Sequence, residues 1–423
     1  MDRRISGLSA LVLWALLMID PVVPAEAQQV IRIGATMSQT GPYSTQGIPA
    51  RNGYLLCQKQ VNEKGGVLGR KLELLVHDDK SDNQTATKLY EKLVVEDKVD
   101  LVLGPYGAPL TEAALLITEK HRKVMLPPLT ATSSIWEQGR RYIFMQLPPS
   151  EFFLAGLIDM AARNGLKTVA LVSENTIFPK SVVKGTTDLA KKNGLEVILH
   201  EEYAKGGKDF SAILAKVKAA NPDVLAVTSA DLSDFIVVAR QMKEQDINVK
   251  MFGTTSAVVE FQRELGNAAE FSYGTSAWEP TVPYPGVKEF VETFQKEFNT
   301  APSFHAAGAY AACQLLMEAV RQAGNLDSEK LREQLLKFKA RTVFSDYAVD
   351  ERGYQIANKG RSVAGRQEGC GLARRSGISK AAFPDSTLEP ALTPKWSPQW
   401  RVAHQVRRLK PPPFAGGDSQ SCA

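Results

Sequence analysis

Six short loops in this chain carry most of its usable chemistry: "GATMSQTGPYSTQG" at 34–47, "GPYGAPLT" at 104–111, "PPLTATSS" at 127–134, "SENTIFPK" at 173–180, "TSADLSD" at 228–234 and "GTTSAVV" at 253–259. Ser, Thr, Gly and Tyr dominate them, and paired acids and bases are scarce. Such loops can hold a small polar ligand with backbone N–H groups and hydroxyls. The plainer alternative is that each hydroxyl caps the helix that follows it. Tyr43 and Ser44 in the first loop, Tyr106 in the second and Phe178 in the fourth are candidate ligand contacts, and Trp278, in the polar stretch "SAWEPT", is a candidate aromatic wall.

Covalent catalysis and metal chemistry have no comparable footing. The chain lacks G-x-G-x-x-G after a strand, a G-x-S-x-G elbow, a G-K-[ST] phosphate loop and H-E-x-x-H. Its five histidines, at 77, 121, 200, 305 and 404, include no i, i+4 pair. "HDDKSD" at 77–82 has three acids but neither the glycine nor the terminal glutamate of a calcium loop. No enzyme activity, metal or cofactor is therefore expected.

The elements that must position these loops are legible as an alternation. "VIRIGA" (30–35), "LELLVH" (72–77), "VDLVLG" (99–104), "VMLPP" (124–128), "TVALVS" (168–173), "EVILHE" (196–201), "DVLAVTS" (223–229) and "VKMFG" (249–253) read as buried strands. Amphipathic helical patterns lie between them, at roughly 50–61, 83–95, 108–120, 150–164, 179–193, 209–219 and 231–244. The alternation predicts an α/β fold of parallel sheets with helices on both faces. In such sheets ligands bind beyond the carboxyl ends of the strands, where all six loops fall.

Composition bounds the class further. The 423 residues are 44% hydrophobic and 23% charged, ordinary values for a globular protein, and the length calls for two lobes. The net charge of +5 comes largely from the basic carboxyl-terminal stretch, so no nucleic-acid partner is implied. Residues 1–27 have the charged start, apolar centre and Ala-x-Ala ending of a secretory signal. Cleavage near Ala27 and a periplasmic location are expected. Cys57 and Cys313 each fall within a helical pattern and are read as small buried apolar groups rather than as a disulfide.

Several of these segments resemble one family. "IRIGATMSQTGPYSTQG", "VNEKGGVLGRKLELLVHDD", "LVLGPYGAPLTEAA", "VMLPPLTATSS", "TAPSFHAAGAYAACQLLMEAV" and "YAVDERGYQIA" look, in order and spacing, like the extracytoplasmic solute-binding proteins of ATP-driven importers of the branched-chain amino acid type. The resemblance covers residues 30–358. It implies two doubly wound lobes on a three-crossover hinge, with 30–147 plus 281–340 in the first and 148–280 plus 341–358 in the second. It implies a monomer that closes on a small solute and delivers it to an ABC permease, or, alternatively, a sensor that signals to a receptor.

Carried over residue by residue, the resemblance puts Ala108 and Ala131 where the family's amino-acid binders use a serine and a threonine on the ligand carboxylate. Gly107, Thr111 and Thr130 stand beside them. Phe178 replaces the usual tyrosine. Thr255 occupies the place of the acid that pairs the ligand ammonium, with Asp231 and Glu279 as substitutes by position. An unpaired buried ammonium costs several kcal/mol, so another acid replaces it or the ligand has no ammonium. The stretch 359–423 departs from the family. Read one nucleotide later, it permits the family's usual ending, so a single-nucleotide shift of frame is expected there, against the alternative of a natural basic tail.

Overall fold

The computed structural model describes residues 30–256, 261, 264–266, 272–274 and 276–357. All of them fall in one of the chain's two compact units, Met1–Leu372. The signal segment, the stretch from 359 onward, and Cys370 and Cys422 lie outside the described residues.

All eight expected strands form, in two parallel sheets. The first has the order β2-β1-β3-β4, from β1 (Ile31–Thr36), β2 (Leu72–His77), β3 (Leu101–Leu103) and β4 (Met125–Leu126). The second has the order β6-β5-β7-β8-β9, from β5 (Thr168–Glu174), β6 (Glu196–Tyr203), β7 (Val224–Thr228), β8 (Met251–Thr254) and β9 (Ser272–Gly274). Every residue of β3, β7 and β8 is buried, as expected for parallel strands covered on both faces. Their continuous apolar runs are the reason.

Helices fill the crossovers: α1 (Ser44–Glu63), α2 (Asn83–Glu91), α3 (Gly107–Thr118), α4 (Ala155–Arg163), α5 (Ile177–Lys192), α6 (Ser211–Ala220) and α7 (Leu232–Glu244). Three further helices follow, α8 (Val287–Phe298), α9 (Phe304–Ala323) and α10 (Ser328–Lys337), then a two-stranded ribbon of β10 (Ala340–Arg341) and β11 (Asp346–Tyr347). The first core joins Ile33, Val102 and Leu126 to Phe290, Phe294 and Leu316 from the late helices. The second sheet carries one apolar cluster around Val172 and Phe235 and another around Leu157 and Val182. The chain leaves the first core after Leu147, reaches the second half by Leu154, and is back in the first core at Trp278.

Two expectations are corrected. Cys57 and Cys313 form a disulfide joining α1 to α9 across 256 residues of sequence. The two helices approach so closely that a Cβ on Gly53 would lie 2.2 Å from the Ala306 carbonyl oxygen, which brings cysteines from distant helical patterns together. From the segment 341–358, expected in the second lobe, the described residues Val343, Phe344, Tyr347 and Val349 join the first core instead. Hydrogen bonds hold it there: Gly353 O accepts from Met145 N at 2.8 Å, and Gln355 Nε2 donates to Gln146 O at 3.0 Å.

Candidate ligand-binding site

The edge of the first sheet is tied together by its own hydroxyls. Thr36, which ends β1, and Ser38, just beyond it, donate to the buried Asp79 carboxylate at 2.8 and 2.6 Å. Burial pushes that carboxyl above its ordinary range, although both hydroxyls pull it back. The Tyr43 N–H donates to Ser81 Oγ at 3.0 Å, fixing the opening loop to the one after β2. Gly47 sits hard against this loop, where a Cβ would lie 1.9 Å from the Ser38 carbonyl oxygen. At the start of α3, Thr111 Oγ1 bonds Gly107 O at 2.8 Å and Thr130 Oγ1 at 2.7 Å. These two hydroxyls satisfy each other, are fully buried, and are not part of the cavity wall.

Charge dominates the edge of the second sheet. Glu174 ends β5 at 0% exposure. Its Oε2 accepts from Ala230 N at 2.9 Å and lies 3.0 Å from Ser229 Oγ. The same Ser229 hydroxyl lies 2.7 Å from Asp234 Oδ2, so two carboxylates share one donor. Tyr203 OH donates to Asp234 at 2.8 Å. Lys208 Nζ bridges Asp231 at 2.8 Å and Asp234 at 2.6 Å. Burial works against its ammonium, but those carboxylates outweigh it and hold the group above the usual lysine range. Asp231 also caps α7, accepting from Ser233 N. It is thus already occupied, as cap and as ion-pair partner.

The two edges meet at Ala230. Its carbonyl accepts from Tyr106 OH at 3.0 Å and from Gln46 Nε2 at 3.2 Å. Lys205 Nζ, from the second half, donates to Ser81 O at 3.3 Å and stands 4.3 Å from the Tyr43 ring centre. Between the edges lies a cavity of about 60 Å³. Of the candidate residues, Tyr106, Gly107, Ala108, Ala131, Phe178 and Thr255 line it. Tyr43, Ser44, Thr111, Thr130, Asp231, Trp278 and Glu279 are not in its wall. Tyr43 is instead buried edge-on against Tyr106, ring centres 5.4 Å apart. Trp278 is a core residue: its indole N–H donates to Val343 O at 2.8 Å, and its ring meets Phe290 edge-on. Its polar neighbours in sequence misled the expectation.

The remaining wall went unread in the sequence. Gln46, Ser229, Phe153, Phe235, Phe304 and His305 all contribute. His305 stacks on Phe304, and burial drives its imidazole down to a pKa of about 3, so it is neutral. Phe304 and His305 open α9, inside the "TAPSFHAAGAYAACQLLMEAV" segment, so their position next to a helix start was the available signal. A larger cavity, about 460 Å³, lies between α1, α9 and residues 338–342, away from both sheet edges.

Two parallel sheets whose loop edges close on a small aromatic-lined space form the candidate cleft for a solute. A family model described as periplasmic binding protein matches residues 30–365, and the chain belongs to that family. The family is extracytoplasmic, and this chain is too. A Pseudomonas aeruginosa leucine-, isoleucine-, valine-, threonine- and alanine-binding protein is 26% identical, over 77% of this chain and 87% of its own length. The Streptococcus pneumoniae branched-chain amino acid transporter substrate-binding protein LivJ, solved with isoleucine, has the same fold at a TM-score of 0.72 and 23% identity, over 80% of this chain and 99% of its own. A Rhodopseudomonas palustris solute-binding protein of an ABC transporter, solved with 3,4-dihydroxybenzoic acid, matches at a TM-score of 0.69 and 23% identity, over 77% of this chain and 90% of its own.

Proposed function

We propose that the chain captures a small polar solute, an amino acid, amide or related carboxylate, by closure of its two halves and delivers it to an ABC permease. It acts as a monomer, exported by residues 1–27 and cleaved near Ala27. The observation that carries the reading is the meeting at Ala230, a residue of the second half whose carbonyl accepts hydrogen bonds from Gln46 and Tyr106 of the first. The 60 Å³ between the edges is far below the roughly 300 Å³ of ordinary ligand pockets. A solute therefore enters when the halves part and is enclosed when they return. The first N–H groups of α3, at Gly107 and Ala108, are free of intrahelical partners by the geometry of any helix start and suit a carboxylate. Phe153, Phe178 and Phe304 suit an apolar side chain. The proteins of this fold quoted above were solved with an aliphatic amino acid and with an aromatic acid, and the wall accommodates either chemistry.

A thermal-shift screen of amino acids, amides and aromatic acids tests this reading, followed by small-angle scattering on each hit. A true ligand raises the melting temperature and shrinks the radius of gyration. A ligand that stabilises the protein and leaves the scattering unchanged ends the closure mechanism.

A further inference from the structure

The 460 Å³ cavity between α1, α9 and residues 338–342 has no part in the solute reading above, yet its volume falls within the roughly 300–1,000 Å³ of small-molecule sites. It is a separate place. Gln46 lines the cleft and Gln60 lines this cavity, and the two stand about 21 Å apart along α1.

Its floor offers hydrogen-bond donors. Gln60 and Tyr310 are each 8% exposed, and the Tyr310 hydroxyl donates to Gln60 Oε1. The amide nitrogen of Gln60 is left without a partner among the described residues. Gln314 Oε1 accepts from Val343 N at 3.4 Å, which leaves its nitrogen in the same position. Neither nitrogen is sealed from solvent, and both side chains line this cavity. An amide nitrogen only donates, so the floor calls for an acceptor. Leu315, Met317 and Phe338 supply an apolar wall beside it.

The rim is cationic. Lys64, Arg321, Lys339 and Arg341 line it against one acid, Glu318. Arg321 pairs with Glu318 at 3.3 Å and Arg341 with Asp346 at 2.9 Å. Lys64 and Lys339 are exposed and have no ion pair among the described residues. Both stand at helix ends, Lys64 capping α1 and Lys339 following the cap of α10, and the end of any helix favours a cation. That is the plainer account of the two lysines. The ends of α1, α9 and α10 together offset about one and a half charges, less than the unpaired ammoniums of Lys64 and Lys339 carry, so the rim stays positive.

We propose that this cavity is a second binding site, which takes a small organic anion with an apolar body. Lys64, Lys339 and the amides of Gln60 and Gln314 draw the acidic head, and Leu315, Met317 and Phe338 receive the body.

Fluorescence titration of the full chain at low ionic strength with anilinonaphthalene sulfonate, set against N-phenylnaphthylamine, the same ring system without the sulfonate, tests this. The native chain is expected to bind the sulfonate saturably and roughly ten-fold more tightly than the neutral amine, the effect of two partly exposed ion pairs. Lys64→Glu with Lys339→Glu, checked by a cooperative melt, is expected to bring that ratio to one or below and to keep the affinity for the amine. Lys191→Glu with Lys192→Glu, the same change of net charge on exposed side chains of α5, is expected to leave the ratio as it was. A native ratio near one, a ratio that survives Lys64→Glu with Lys339→Glu, or an equal fall in both double variants overturns the proposal. Should the first double variant not melt cooperatively, Lys64→Gln with Lys339→Gln takes its place under the same criterion. The proposal does not rest on the solute-binding reading: a sulfonate held in the cleft keeps its preference in the Lys64 and Lys339 variant, which removes the second site and leaves that reading standing.

Discussion

The two sheets are built to one plan. Each places its first strand between the second and third, giving orders β2-β1-β3-β4 and β6-β5-β7-β8-β9. Each has an aspartate just before its third strand: Asp100 Oδ2 accepts from Arg32 N at 2.8 Å, and Asp223 Oδ2 accepts from Lys167 N at 2.6 Å. At the ligand-facing edges the likeness ends. The first half satisfies its loops chiefly with neutral hydroxyls, two of them on the buried Asp79 carboxylate, and is stapled by Cys57–Cys313, while the second holds Glu174, Asp231, Asp234 and Lys208 within one network. A shared scaffold thus carries two strategies: a largely neutral, covalently braced frame, and a charged face that can respond to the charge of what it meets.

The largest expected effect tests the brace. Cys57→Ser with Cys313→Ser opens a loop of 256 residues, and should cost about 3–5 kcal/mol in denaturant unfolding. If the difference between the halves is real, the loss falls on the first, and protease cuts appear there before the second half yields. Next is Asp234→Ala. That carboxylate has a 0% exposed side chain and serves Tyr203, Ser229 and Lys208. Its loss strands the Tyr203 hydroxyl and takes from Lys208 one of its two carboxylates, Asp231 remaining, and should cost about 2–3 kcal/mol. The matched change in the neutral frame, Thr111→Ala, should cost about 1 kcal/mol. Equal losses in the two variants would erase the distinction.

The strands were legible because a parallel strand covered on both faces is an unbroken apolar run, as in "DVLAVTS" and "TVALVS". Those that escaped were too short to show a pattern: β9 has three residues, β10 and β11 two each. Loop positions at the sheet edges were legible for the same reason as the strands. Which side chains face the cavity was not. Thr111 and Thr130 look like ligand hydroxyls until they are found bonded to each other across 19 positions. Asp231 looks available until Lys208, 23 residues away, arrives on it. Gln46 and Glu174 carry no local pattern, and their importance comes from meeting at Ala230.

Acid titration sharpens the comparison at the opposite edge. Burial works against the Asp223 carboxylate, but hydrogen bonds from Lys250, Lys167 N and Thr168 N outweigh it and lower its pKa to about 2 from 3.8. A carboxyl depressed in the fold stabilises it at pH values above the unfolded pKa. That contribution, roughly 2 kcal/mol, is whole at neutral pH and drains away as the pH falls from about 4 through about 2. Asp223→Asn should therefore melt lower than the native chain at pH 7, and the gap should narrow in strong acid. A gap independent of pH would deny that ionisation is what joins β5, β7 and β8 at that edge.

The smallest expected effect bears most directly on the contact between the halves. Tyr106→Phe keeps the ring that meets Tyr43 and His305 and removes only the hydroxyl that reaches Ala230 O across the cleft. A neutral hydrogen bond is worth about 1 kcal/mol net, or about a five-fold shift of an open–closed equilibrium. Because Gln46 still reaches the same carbonyl at 3.2 Å, the closed form survives with a smaller share. Scattering should show a larger radius of gyration for the variant without ligand and convergence with the native value at saturating ligand, while the melting temperature hardly changes. If the radius is unchanged and the melting temperature drops, the Tyr106 hydroxyl braces the fold and does not govern closure, and the neutral frame has no part in holding the charged face shut.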